Sequence, residues 1–341
     1  MIIRKKMIIY LSLILIIVIS FVNFSLHAAE NDVKIITDMA GRKVEISAKV
    51  ERIVTSYKSA TQFVFALGAE KKLVGIDMGS PSQKLFQKLY PDIKDLPIVG
   101  SKRKGLNLEE IISLNPDLVI LYPYNEGPEL AKKLKIQGIP SIIIKPESYE
   151  LIKKTNIILG KALGLERKAK IVDNQYEKIL EIIKGVTDIP AACKKKVYFA
   201  NSNLLDSVGK GMLQTSMIEL AGGINPVSKS KSGFVKISSE QLINWDPDLI
   251  IVSNYFKDDI EKLKDMEKYK YINAFKTGKI YRFPSNLEPW DFPSPSSLMG
   301  ILCLSRHLYP ERYSDIDYED ILNNFYKTLY GISYDQLGGK L

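Results

Sequence analysis

One arrangement of apolar and polar positions occurs twice along the chain. Residues 108–122 read LEEIISLNPDLVILY and residues 239–253 read SEQLINWDPDLIIVS. Each predicts a short amphipathic helix, an Asx-Pro-Asp turn and a buried strand. Pro116 and Pro247 stop the helices, because proline has no N–H to donate and clashes with the turn before it. Leu118–Leu121 and Leu249–Val252 are unbroken apolar runs, the pattern of strands covered on both faces of a parallel sheet. A unit repeated once in each half predicts two similar α/β lobes.

The remaining pattern fits. Strands are predicted at Arg52–Ser56, Leu73–Ile76, Ile98–Val99, Ser141–Lys145, Lys196–Ala200 and Lys279–Phe283, with helical spacing between them. Ala60–Leu67 ends at Gly68 and Thr215–Leu220 ends at Gly222–Gly223, both helix-stop signals. Between the halves runs a helical stretch from Tyr149 to about Val186, interrupted near Gly160 and Gly164. Within it Ala169, Val172, Tyr176, Ile179 and Ile183 recur at three and four, giving one buried stripe. The expected division is a leader at 1–29, a first lobe at 30–150, a helical backbone at 151–187 and a second lobe at 188–341.

The leader changes the picture of where the chain works. Arg4, Lys5 and Lys6 precede an apolar run from Met7 to Val22, which ends in small residues at Ala28 and Ala29. That is the layout of a secretory signal peptide, with an uncleaved anchor helix as the alternative. Either way the rest of the chain is expected outside the cytoplasm, periplasmic or extracellular and membrane-associated. No cysteine lies near the end of the apolar run, so lipid attachment is not expected.

Of the 341 residues, 45% are hydrophobic and 26% charged, enough to build two cored domains. The formal net charge is +9, three units of it in the leader, and the lysines are interspersed with acids. This pattern describes a solvated surface and excludes a nucleic-acid footprint. Cys193 and Cys303 are the only cysteines. Cys303 lies in the apolar stretch Met299–Leu304 and reads as a buried small hydrophobe, with pairing to Cys193 as the other possibility.

Several further stretches carry a family resemblance: DMAGRKVEISAKVERIV (38–54), FALGAEKKLVGID (65–77), LGKALGLERKAK (159–170), IELAGGINPV (218–227) and LYPERY (308–313), together with the two repeats. In this order they resemble the iron-siderophore, haem and cobalamin class of ABC-importer substrate-binding proteins, the helix-backbone type. The resemblance implies two Rossmann-like lobes with parallel-rich sheets joined by a single long backbone helix, and a monomer that holds a ferric siderophore, haem or corrinoid in the interlobe cleft. It also implies a membrane permease as partner and one docking glutamate per lobe, which fall on Glu109 and Glu240. Both lie in the first turn of their helices, where a carboxylate is favoured by the helix dipole in any case.

In open parallel sheets a ligand sits beyond the carboxyl ends of the strands. The loops there supply Tyr57, Lys58, Asp77, Met78, Lys102, Arg103, Tyr122, Tyr124 and Asn125 in the first lobe. The second supplies Asn201, Asn203, Tyr255, Trp290 and Asp291. Aromatic rings suit a flat or apolar ligand, and Lys102, Arg103 and Lys210 suit its carboxylate, catecholate or phosphate groups. Trp290 stands out because its segment, WDFPSP, is a stiff loop after a predicted strand, where an exposed tryptophan would need a purpose.

With His27 in the leader, His307 is the one remaining histidine, so a His-rich metal cage is not expected. Ferric iron held by tyrosinates among Tyr57, Tyr122, Tyr124 and Tyr255 is one alternative, and a membrane-anchored ligand sensor is another. An enzyme is not expected, since no G-x-S-x-G elbow, P-loop or G-x-G-x-x-G is present.

Overall fold

The computed structural model describes residues 33–101, 105–123, 126–229 and 232–341. The leader and the site candidates Lys102, Arg103, Tyr124 and Asn125 lie outside the described residues. The chain opens with an antiparallel hairpin, β1 (Val33–Thr37) and β2 (Lys43–Ser47). There follow β3 (Ile53–Thr55), α1 (Lys58–Ala66), β4 (Leu73–Asp77), α2 (Lys84–Leu89), β5 (Ile98–Ser101), β6 (Gly105–Leu106), α3 (Leu108–Ser113), β7 (Leu118–Leu121), α4 (Gly127–Ile136) and β8 (Ser141–Ile143). The strands form one sheet in the order β6-β5-β4-β3-β7-β8, parallel except for the edge pair β5–β6.

The backbone helices are α5 (Tyr149–Leu163) and α6 (Glu166–Thr187). The second lobe contains β9 (Val197–Ala200), β10 (Asp206–Val208), α7 (Leu213–Leu220), β11 (Phe234–Lys236), α8 (Ser239–Trp245), β12 (Leu249–Val252), α9 (Ile260–Lys264), α10 (Asn273–Lys276) and β13 (Ile280–Arg282). The chain closes with α11 (Ser297–Leu308) and α12 (Tyr318–Tyr330). The second parallel sheet has the order β13-β12-β9, and β10–β11 is a separate antiparallel pair.

The repeated unit owes its shape to the same bonds in both lobes. Asn115 and Asp246, each at φ 44°, take the left-handed turn before the proline, a conformation that Asn and Asp tolerate better than other side chains. The aspartate after the proline then fastens the turn to the start of a neighbouring strand. Asp117 accepts from the backbone N–H of Arg52 at 2.8 Å, and Asp248 from that of Lys196 at 2.7 Å. In return the Arg52 guanidinium reaches the Leu114 carbonyl at 2.7 Å and Lys196 reaches the Trp245 carbonyl at 3.0 Å, capping the two helix ends.

The helical stretch between the lobes is two helices, not one continuous rod. Gly164, at φ 70°, ends α5 in the left-handed conformation, and α6 folds back against it. At their crossing, a Cβ on Gly160 would stand 2.5 Å from that of Ala169, so the close approach requires glycine there. The long helix of the expectation is α6 alone, about 33 Å from its 22 residues.

The predicted stripe of α6 is buried throughout, and Tyr176 stacks on Phe325 of α12 with ring centroids 6.2 Å apart. Helix α12 in turn packs on α1 of the first lobe. One apolar cluster therefore runs from Ile53 and Phe63 through Tyr176 and Phe325 to Val197 and Ile251, joining the lobes. Smaller clusters cover the far face of each sheet. His307 stacks on Tyr281 at 4.1 Å, and burial lowers its pKa. Cys303 is buried, Cys193 is exposed, and both are free thiols.

Candidate functional site

A cleft of about 850 Å³ opens beyond the carboxyl ends of the strands of both sheets. The loop after β3 brings Ser56 and Tyr57, with Lys58 opening α1, and the end of β4 brings Asp77, with Met78 just after it. From the second lobe come Asn201, Ser253, Tyr255, Asp291 and Phe292. The β10–β11 pair contributes Phe234 and Lys236 to the wall, and Glu147, between β8 and α5, also lines the cavity.

Aromatic rings cross the gap. Tyr57 lies 4.7 Å from Tyr122 on one side and 5.5 Å from Phe292 on the other, and Phe292 is 6.0 Å from Tyr255. The Lys58 ammonium sits 5.1 Å from the centre of the Phe292 ring and donates to the Tyr255 hydroxyl at 3.2 Å, bridging the lobes at the mouth. Phe234 is 62% exposed, Met78 51% and Tyr255 49%, so apolar surface rims a partly polar cavity.

The carboxyls of Asp77, Glu147, Asp206 and Asp291 line the cavity, and burial raises the pKa of Asp77, Glu147 and Asp291. Asp77 accepts from the Gly79 N–H at 2.7 Å and from Ser80. Asp291 accepts from Ser253 at 2.6 Å and Asn254 at 3.1 Å. Glu147 accepts the hydroxyl proton of Tyr122 and a backbone N–H from Leu213 at the start of α7, and burial pushes it up to about 7. Glu147 thus ties the first lobe to the second at the cleft.

Tyr57, Lys58, Asn201, Tyr255 and Asp291 all line the cavity, as do Asp77 and Met78. Tyr122 lies behind Tyr57, 6% exposed. Asn203 instead builds the turn into β10, its side-chain oxygen accepting from Leu205 and Asp206 N–H at 3.0 and 3.1 Å. Lys210 is exposed and does not line the cavity.

Trp290 corrects the sequence reading: it is 0% exposed and points away from the cleft, its indole N–H donating to the Tyr326 hydroxyl at 3.0 Å. Its neighbours Asp291 and Phe292 face the cavity in its place. Glu147 and Phe292 were missed, although the rule of searching loops after strands leads to both.

Glu109 and Glu240 occupy the same second helical position in α3 and α8, and both are exposed. Asn107 caps the first helix, and a Ser238–Gln241 capping box closes the second. Hydrogen bonds from its own N–H and from Ser238 lower the Glu240 pKa.

Two α/β lobes around a lined cleft, on a shared helical backbone, define a solute-binding protein. Residues 53–287 match the family described as periplasmic binding protein, and the chain belongs to that family. It is 27% identical to the molybdate-binding protein MolA of Haemophilus influenzae, across 88% of this chain and 92% of that protein. It is 28% identical to the Fe(3+)-citrate-binding protein YfmC of Bacillus subtilis, across 76% of this chain and 81% of that protein. A periplasmic solute binding protein from Veillonella parvula, known from its crystal structure, superposes with a TM-score of 0.76 at 29% identity, covering 89% of this chain and 94% of that one. The chain is an exported substrate-binding component of an ABC importer and not an enzyme. Among the described residues no helix is long and apolar enough to cross a membrane.

Proposed function

We propose that the cargo is a metal chelate of the siderophore, haem or corrinoid kind, delivered to a membrane permease that docks on Glu109 and Glu240. The cleft carries this reading. Its volume of about 850 Å³ suits a ligand of drug size, and its wall offers stacked aromatic rings beside hydrogen-bonding groups. Asp77, Glu147 and Asp291 can exchange hydrogen bonds with the hydroxyl or amide groups of an organic chelator. Tyrosinate ligation of iron fits less well, since the Tyr122 and Tyr255 hydroxyls are bonded to Glu147 and Lys58.

The similarity to MolA favours a second reading, molybdate, with Lys58 as its counter-charge. Isothermal titration with ferric citrate, a ferric hydroxamate siderophore, haemin, cyanocobalamin and sodium molybdate separates the two. Saturable heat from one of the chelates, reduced in Lys58→Ala, is the expected result. Binding of molybdate alone overturns the chelate reading.

A further inference from the structure

The loop between β13 and α11 holds the two lobes together from beneath the cleft. Its outer side presents Asp291 and Phe292 to the cavity. Its inner side is fastened to the first lobe at three points: Ser59 donates to the Pro293 carbonyl, the Leu85 N–H to the Leu287 carbonyl at 3.1 Å, and the Gln62 amide to Glu288. Gln62 also donates to Ser296 at 3.1 Å. Ser296 and the Tyr326 hydroxyl both donate to the other oxygen of Glu288, and Tyr326 accepts from Trp290 at 3.0 Å. Gln62 is 1% exposed and Glu288 3%.

We propose that Gln62 and Glu288 are positioning residues for the cargo site, a tie from α1 to the loop that sets where Asp291 and Phe292 stand in the cleft. The inference rests on the cleft being the cargo site. A hydrogen-bonded pair buried between lobes is costly to break, because each partner is then left unsatisfied away from water. With Gln62 removed, Glu288 keeps its bonds within the second lobe and loses its link to the first. The loop then keeps its fastenings to Ser59 and Leu85 and loses the buried one between them, which loosens the placement of Phe292 against Tyr57.

Tyr326 and Tyr330 of α12, Tyr176 of α6, Tyr334 and Lys58 are the titratable groups that face Glu288. Burial outweighs the Lys58 charge and its hydrogen bonds, and raises the carboxyl to about 7. The tie therefore carries a proton at mildly acid pH and loses it as pH rises through neutrality.

The test places 4-fluorophenylalanine at position 292 and follows its fluorine resonance in the intact protein. Because Glu147 also stands at about 7 and reaches Phe292 through Tyr122 and Tyr57, the probe is read in a Glu147→Gln parent, expected to give one sharp signal that shifts in a step near pH 7. Adding Glu288→Gln, which preserves the shape and the neutral state, is expected to keep the sharp signal and abolish the step. Gln62→Ala is expected to broaden or split it. A Gln62→Ala signal identical to the parent overturns the proposal, as does a pH step that survives Glu288→Gln in the Glu147→Gln parent. Titrating the parent with ferric citrate and sodium molybdate separates the two levels: a resonance that responds to Gln62→Ala and to neither probe counts against those cargoes and leaves the tie standing.

Discussion

The two lobes are alike at one end of their sheets and unlike at the other. At the end where the strands begin, both use a left-handed Asx, a proline and an aspartate that grips the next strand, with Arg52 or Lys196 closing the helix. At the carboxyl end the first lobe offers Tyr57, Lys58 and Asp77, and the second Ser253, Tyr255, Asp291 and Phe292. The same repeated unit places Glu109 and Glu240 in matching positions at the N-terminal ends of its helices, away from the duplicated turns, as a permease that contacts both lobes would need. Symmetry therefore belongs to the repeated helix-turn-strand unit and its proposed docking glutamates, and asymmetry to the loops proposed for cargo.

The largest effect is expected where that division is attacked directly. Glu109→Lys with Glu240→Lys should abolish transport in an uptake assay while leaving cargo affinity unchanged, since exposed charges steer and orient docking without lining the cleft. An equal loss of affinity would end the division of labour. Next, Leu118→Ala and Leu249→Ala truncate equivalent strand positions, 0% and 1% exposed, and each should cost about 2–5 kcal/mol in denaturant unfolding. Because both residues belong to one apolar cluster, each variant should still unfold in a single transition. Two separated transitions would mean that the lobes do not share a core.

Buried acids give a smaller effect. Glu147 and Glu288 both stand at about 7 in the folded protein, above their ordinary value of 4.5. The folded state holds the proton more tightly, so the stabilisation is present at acid pH and is lost as pH rises through about 7. Each carboxyl should lower unfolding free energy by about 2–3 kcal/mol between pH 5 and 8, and Glu147→Gln or Glu288→Gln should remove its share of that slope. Smallest of all, Asp117→Ala and Asp248→Ala should each cost about 1–3 kcal/mol by freeing the turn. Unequal costs in thermal melts would show that the two turns, though alike in geometry, are not alike in load.

Much of this was legible in the sequence because it is local. The repeat, its proline turns and the apolar strand runs each announce themselves within fifteen residues, and Gly164 announced the break between α5 and α6. What escaped depends on distant partners. Nothing near Trp290 indicates that Tyr326, far along the chain on α12, will take its indole proton and draw the ring inward. Glu147 looks like a polar residue ahead of a helix until α7 of the other lobe supplies the Leu213 N–H. The cleft candidates were found by a rule of topology, and the same rule could not tell which side chain of a loop would face the cavity.

The apolar cluster that passes through α6 also has a kinetic meaning. Lobes that share a core have no spontaneous swing to complete before a ligand can settle, so loading is ungated and its speed is set by diffusion and the chemistry of the mouth. Unloading in solution follows the same open path in reverse, at a rate set by affinity. Prying the lobes apart is a different matter: it would expose part of that cluster to water, so a transporter that empties the cleft by parting the lobes would have to supply that work itself.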